Sequence, residues 1–87
     1  MIQVERTGEN TYRVTVEEGG SRSRHDVALK EDYYRRLTGG RITAEELIER
    51  SFEFLLARES KESILSSFDL PVIQRYFPDY ERTVGSR

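Results

Sequence analysis

"IQVERTGENTYRVTVEE", residues 2–18, alternates apolar and polar side chains on both sides of a Gly8-Glu9-Asn10 break. A period of two marks half-buried strands, so the stretch reads as a β-hairpin. The side chains also choose its register. A two-residue turn on Gly8 and Glu9 would set Val4 against Arg13 and mix the two faces. A three-residue loop on Gly8, Glu9 and Asn10 sets Val4 opposite Val14, Ile2 opposite Val16 and, on the other face, Glu5 opposite Arg13. The second solution is expected, with Asn10 as the left-handed residue of the loop.

Working outward, "EEGGSRS" reads as a loose turn and "RHDVALK" as a third strand with His25, Val27 and Leu29 on one face. Pairing Val16 with His25, Val14 with Val27 and Tyr12 with Leu29 prolongs the apolar face, while Glu17 meets Arg24 behind it. Strands over 2–7, 11–18 and 24–30 then make a three-stranded antiparallel meander. A sheet that small needs a cover on its apolar face. Helices over 31–38, 43–58, 61–68 and 71–77 supply it. Gly39-Gly40 stops the first, Thr43 and Glu46 form a capping box for the second, and Ser60 caps the third. The expected architecture is α+β in one domain of 87 residues: strands in 1–30, helices in 31–78 and a frayed tail over 79–87.

Two stretches carry more apolar residues than one core stripe uses. In "TAEELIERSFEFLLARE", Leu47, Ile48, Phe52, Phe54, Leu55 and Leu56 sweep past the roughly 100° of helix surface that a single buried face requires. The helix therefore touches something on two sides, the sheet on one and the next helix or a partner on the other. In "SFDLPVIQRYFPDYE", residues 67–81, Pro71 opens a short helix and Pro78 closes it. One reading makes this a lid, with Leu70, Ile73 and Phe77 plugging the core and Tyr76 and Tyr80 at its rim. The other makes it a docking surface, since tyrosines are enriched at interfaces. Phe52, Phe54, Leu56, Tyr76 and Tyr80 are accordingly the candidate interaction residues.

Composition narrows the function classes. Hydrophobic residues make up 36% and charged residues 34%, enough for a thin core with little apolar surface to spare. The absence of cysteine removes disulfides, thiolate metal sites and a cysteine nucleophile, and fits a reducing cytoplasm. No apolar run approaches the roughly 20 residues of a membrane span, and the amino terminus lacks a signal pattern. A net charge of −2 argues against a general nucleic-acid binder.

Catalysis has little to work with. His25 is the only histidine, and on a strand's apolar face a histidine is expected to be packed and satisfied. The paired carboxylates Glu17-Glu18, Glu31-Asp32 and Glu45-Glu46 sit at element ends, where solvation and the helix dipole account for them. "TGGRIT" lacks the Lys-Ser/Thr of a phosphate loop, and no metal-ligand spacing occurs. The expectation is a small cytoplasmic interaction module that is no enzyme, takes no cofactor or metal, and pairs with itself or another protein.

Two resemblances add to this. "VALKEDYYRRLTGGRITAEELIERSFEFLLAR" resembles the ribbon-helix-helix family of DNA-binding regulators, in which two chains pair one strand each and read the major groove. That resemblance implies that residues 24–29 pair with their own copy. It also implies that Arg22, Arg24, Asp26 and Ala28 face the bases and that Thr43 to Glu45 approach phosphate. "YYRRLTGGRITAEELIERSFEFLLARESKESILSSFDLPVIQRYFPDYE" resembles a group of short prokaryotic proteins of unknown function, which implies a cytoplasmic prokaryotic protein and no site residues.

Overall fold

A computed structural model describes residues 1–85. In chain order they form β1 (Ile2–Arg6), β2 (Thr11–Glu18), β3 (Ser21–Ala28), α1 (Glu31–Thr38) and α2 (Ala44–Leu56). A 3₁₀ turn at Lys61–Ser63 follows, then β4 (Ser67–Asp69), α3 (Val72–Tyr76) and α4 (Tyr80–Gly85). The class is α+β, with helices covering one face of a sheet ordered β1-β2-β3-β4.

The hairpin takes the expected register, Val4 opposite Val14, Ile2 opposite Val16 and Glu5 opposite Arg13. Its loop is held differently. Among the described residues none other than glycine has positive φ, so Asn10 is not left-handed. Instead the Arg6 guanidinium donates to the carbonyls of Gly8 and Glu9 at 2.9 and 2.6 Å, tying down the turn's free acceptors.

The next turn corrects the β2–β3 pairing. Gly19 and Gly20, at φ 59° and 79°, occupy the two positions that a tight primed turn requires to be left-handed. The strand therefore begins at Ser21, and Val14 faces His25, Val16 faces Ser23, Tyr12 faces Val27 and Glu17 faces Arg22. The shift is two residues. Because side chains alternate with the same period, His25 and Val27 keep their inward face although their neighbours change.

A second correction concerns residues 61–68. They do not form the expected short third helix. Ser60 makes no side-chain bond to the helix backbone, Ile64 is extended at ψ 135°, and the chain straightens into β4. Ser67, Phe68 and Asp69 pair in parallel with Asp26, Val27 and Ala28. A parallel neighbour needs a long crossover, which the segment carrying α1 and α2 provides. Extension also lets Asp26 N–H donate to Ser66 at 2.8 Å and Leu70 N–H to Ala28 at 2.9 Å, while Phe68 turns inward to Phe52.

Val14, Val16, Val27, Leu47, Ile48, Phe52 and Leu70 are buried between the sheet and α2. The Thr43–Glu46 capping box forms, with reciprocal bonds of 3.0 and 3.3 Å. The frayed tail expected from residue 79 is instead α4 as far as Gly85, with Tyr80 and Val84 buried; residues 86 and 87 lie outside the described residues. Gly85 is where α4 comes closest to α1: a Cβ there would stand 2.5 Å from Leu37 Cδ1 and 2.9 Å from its carbonyl oxygen. Only glycine permits that approach.

Candidate functional site

The second side of α2 is occupied from within the chain. Phe54 packs edge-on against Tyr80 at 5.4 Å and Phe77 at 5.9 Å, and Arg58 lies over its ring at 3.6 Å. Tyr80 is fully buried, with its hydroxyl 2.6 Å from Ser51 Oγ. Ser51 spends its one proton on the Leu47 carbonyl at 2.7 Å, so the phenol is the donor between them. Burial pushes the Tyr80 phenol well above its ordinary value. Of the candidate interaction residues, Phe52, Phe54 and Tyr80 thus belong to the core, and Leu56 is half-buried. Tyr80 at a wet rim is a misplacement: sequence spacing does not show that α4 folds back beneath α2.

Tyr76 has the opposite fate, remaining 67% exposed. It stands at the mouth of an apolar cleft of about 240 Å³ between the end of α2, the loop before β4, and α3. Leu55, Ile64, Phe68, Ile73 and Phe77 form its floor and walls, and Val72, Leu65 and Tyr76 its lip. Among the described residues its polar liners are Glu59 and Ser63, beside the Tyr76 phenol. Residues 67–81 therefore do two things. Leu70 and Ile73 plug the core as a lid does, while Val72 is half-buried and Tyr76 faces outward. Sequence spacing turns Ile64, Leu65 and Phe68 inward together on a helix over 61–68, and Leu65 is the one of the three that the structure leaves exposed. The reason is local: Ile64 is extended, and on extended backbone adjacent side chains point to opposite faces, so Leu65 turns out as Ile64 turns in.

His25 explains how an imidazole sits on an apolar face. It is buried, its ring 5.3 Å from Phe52. Nδ1 lies 2.7 Å from the Leu65 carbonyl, which can only accept, so Nδ1 carries the proton. In the neutral ring Nε2 then accepts from the Ser23 hydroxyl at 2.9 Å. Both nitrogens are satisfied, and the ring ties β3 to the loop that forms the cleft's lip.

The ribbon-helix-helix arrangement is not the one adopted. β3 lies inside the sheet, with β2 on one edge and β4 on the other over Asp26 to Ala28, which closes that edge to a second copy. Arg22 is engaged by the Glu17 carboxylate, and Arg24 stands exposed on the open sheet face opposite Thr15. Asp26 lies 3.7 Å from Arg13 on that same face.

Elsewhere, Tyr33 donates to Glu81 at 2.9 Å, and burial first, then that carboxylate, push its phenol upward. Lys61 donates to Glu62 at 2.9 Å and holds that carboxyl below its usual range. Among the described residues no three His, Asp or Glu gather as metal ligands, and no helix is long and apolar enough to cross a membrane. No family model, curated protein or solved structure matches the chain.

Proposed function

We propose that this chain is a small cytoplasmic, non-enzymatic interaction module that associates with itself through the cleft between α2, the loop before β4, and α3. One observation carries the reading. Among the described residues the large apolar side chains left exposed are Leu65, Tyr76 and Met1, and the first two flank this apolar cleft. A chain with so little apolar surface to spare gains nothing from exposing it together unless something covers it. The cleft's size favours side chains over a metabolite, since 240 Å³ falls below the roughly 300–1,000 Å³ of small-molecule sites. The lack of cysteine supports the cytoplasmic part of the reading.

Sedimentation equilibrium on the full chain tests it. The expected result is an average mass that climbs from one chain toward two across the micromolar range. A constant single-chain mass up to several hundred micromolar overturns self-association.

A further inference from the structure

The cleft has one charge, and that charge is unanswered. Glu59 follows the carboxyl end of α2, where carbonyl oxygens already make the potential negative and a cation is favoured. Its neighbour Arg58 is committed elsewhere, donating to the Phe54 carbonyl at 3.0 Å and to Asp79 at 3.3 Å. Among the described residues the half-buried Glu59 carboxylate has no hydrogen-bond or ion-pair partner. What the cleft lacks is an apolar or aromatic group with a cation beside it.

The chain displays that combination beside the cleft, Tyr76 lining it and Arg75 next to Tyr76 on α3. On α3, Val72, Arg75 and Tyr76 stand at positions i, i+3 and i+4 and so share one side, half-buried at Val72 and exposed at the other two. Arg75 and Tyr76 are exposed, and the Arg75 guanidinium has no partner among the described residues. Receptor and ligand chemistry thus lie on one surface, the requirement for an isologous contact in which residue i meets j and j meets i.

We infer that the occupant of the cleft is a second copy of this chain, docked about a two-fold axis beside α3. Each copy lays Tyr76 into the other's cleft and sets Arg75 against the other's Glu59. The inference rests on the self-association proposed above and names its face. The two ion pairs fix register and mutual recognition, while the tyrosines and the apolar lip supply the contact area.

Charge swapping tests it on the full chain. With Glu59→Arg, both contacts of a homodimer become Arg against Arg; with Arg75→Glu, both become Glu against Glu. Each variant alone should dimerise at least tenfold more weakly than the natural chain. Mixed in equal amounts, the two variants should pair with each other at close to the natural affinity, because the mixed dimer restores both attractive contacts. Circular dichroism melts of the dilute variants, expected to be unchanged, separate this from misfolding. If the natural chain dimerises and neither variant weakens it, this face is wrong while self-association stands. If both variants weaken it but the mixture does not recover, the Glu59–Arg75 pairing is wrong. If the natural chain stays monomeric, self-association fails, and this inference with it.

Discussion

α2 and α3 both carry more apolar surface than one buried stripe uses, yet only α2 has both of its apolar sides covered. Ile48, Phe52 and Leu55 are buried along one side, and Phe54, on the side of Leu47, meets Phe77 and Tyr80. α3 has five residues between Pro71 and Phe77. Ile73 is buried and Phe77 half-buried, while Val72 stays half-buried and Tyr76 exposed on the neighbouring row. The difference teaches that a wide apolar arc is not in itself evidence of a partner. A 13-residue helix followed by more chain can be covered from within. A one-turn helix at the edge of the core has no later element on its outer side, and its surplus is displayed.

The sharpest way to break the contrast is to hollow out α2. Phe52 is fully buried against His25 and Phe68. Phe52→Ala should cost about 3–5 kcal/mol in urea denaturation, a large share of the roughly 5–15 kcal/mol available to a domain. A loss under about 1 kcal/mol would mean that α2 is not the centre of the core.

Alkaline pH probes the Phe54 side of α2 without mutation. A free phenol ionises near pH 10, whereas burial raises the pKa of Tyr80, and burial with Glu81 that of Tyr33. Above about pH 10 the unfolded chain therefore releases protons that the folded chain retains. Stability is fully present below that pH and falls above it, by about 1.4 kcal/mol per pH unit for each retained phenol proton. Denaturation midpoints from pH 8 to 11.5 measure this. Tyr80→Phe should flatten part of the slope, and an unchanged slope would place the Tyr80 phenol in water.

These magnitudes follow the line between what the sequence made legible and what it hid. The β1–β2 register was readable because the Gly8-Glu9-Asn10 break is short, and of the two loops it allows only the three-residue one sets Val4 opposite Val14 and Ile2 opposite Val16. The β2–β3 register was not, because a two-residue slip preserves every face and only the left-handed pair Gly19-Gly20 selects between the alternatives. α2 announced itself through its capping box and its length. β4 has three residues and no periodicity of its own, and its existence depends on the open edge of β3. The cleft was half legible: Val72 and Tyr76 could be put on one row, but Leu65 and Glu59 join them only once the chain has turned back.

A smaller effect sharpens the comparison at the helix starts. α2 is capped by Thr43, whose hydroxyl accepts from Glu46 N–H at 3.0 Å, whereas Pro71 offers α3 no side-chain bond. Thr43→Ala should cost about 1 kcal/mol in the same denaturation assay. No loss would mean that packing alone holds α2, as it must hold α3.

The smallest expected change in fold stability is the one that matters most for the cleft. Tyr76 is 67% exposed and makes no hydrogen bond among the described residues. Removing its ring creates no cavity, and alanine suits a helix slightly better than tyrosine does. Tyr76→Ala should therefore alter unfolding by less than about 0.5 kcal/mol when measured dilute, where the chain is monomeric. Its effect belongs at high concentration. A dimer stabilises the folded state by mass action, so the natural chain's denaturation midpoint should rise with protein concentration. In Tyr76→Ala that rise should shrink or vanish. A dilute cost above about 2 kcal/mol would make Tyr76 a core residue and erase the contrast with Phe52. A concentration dependence untouched by the substitution would leave the contrast intact and remove Tyr76 from the contact.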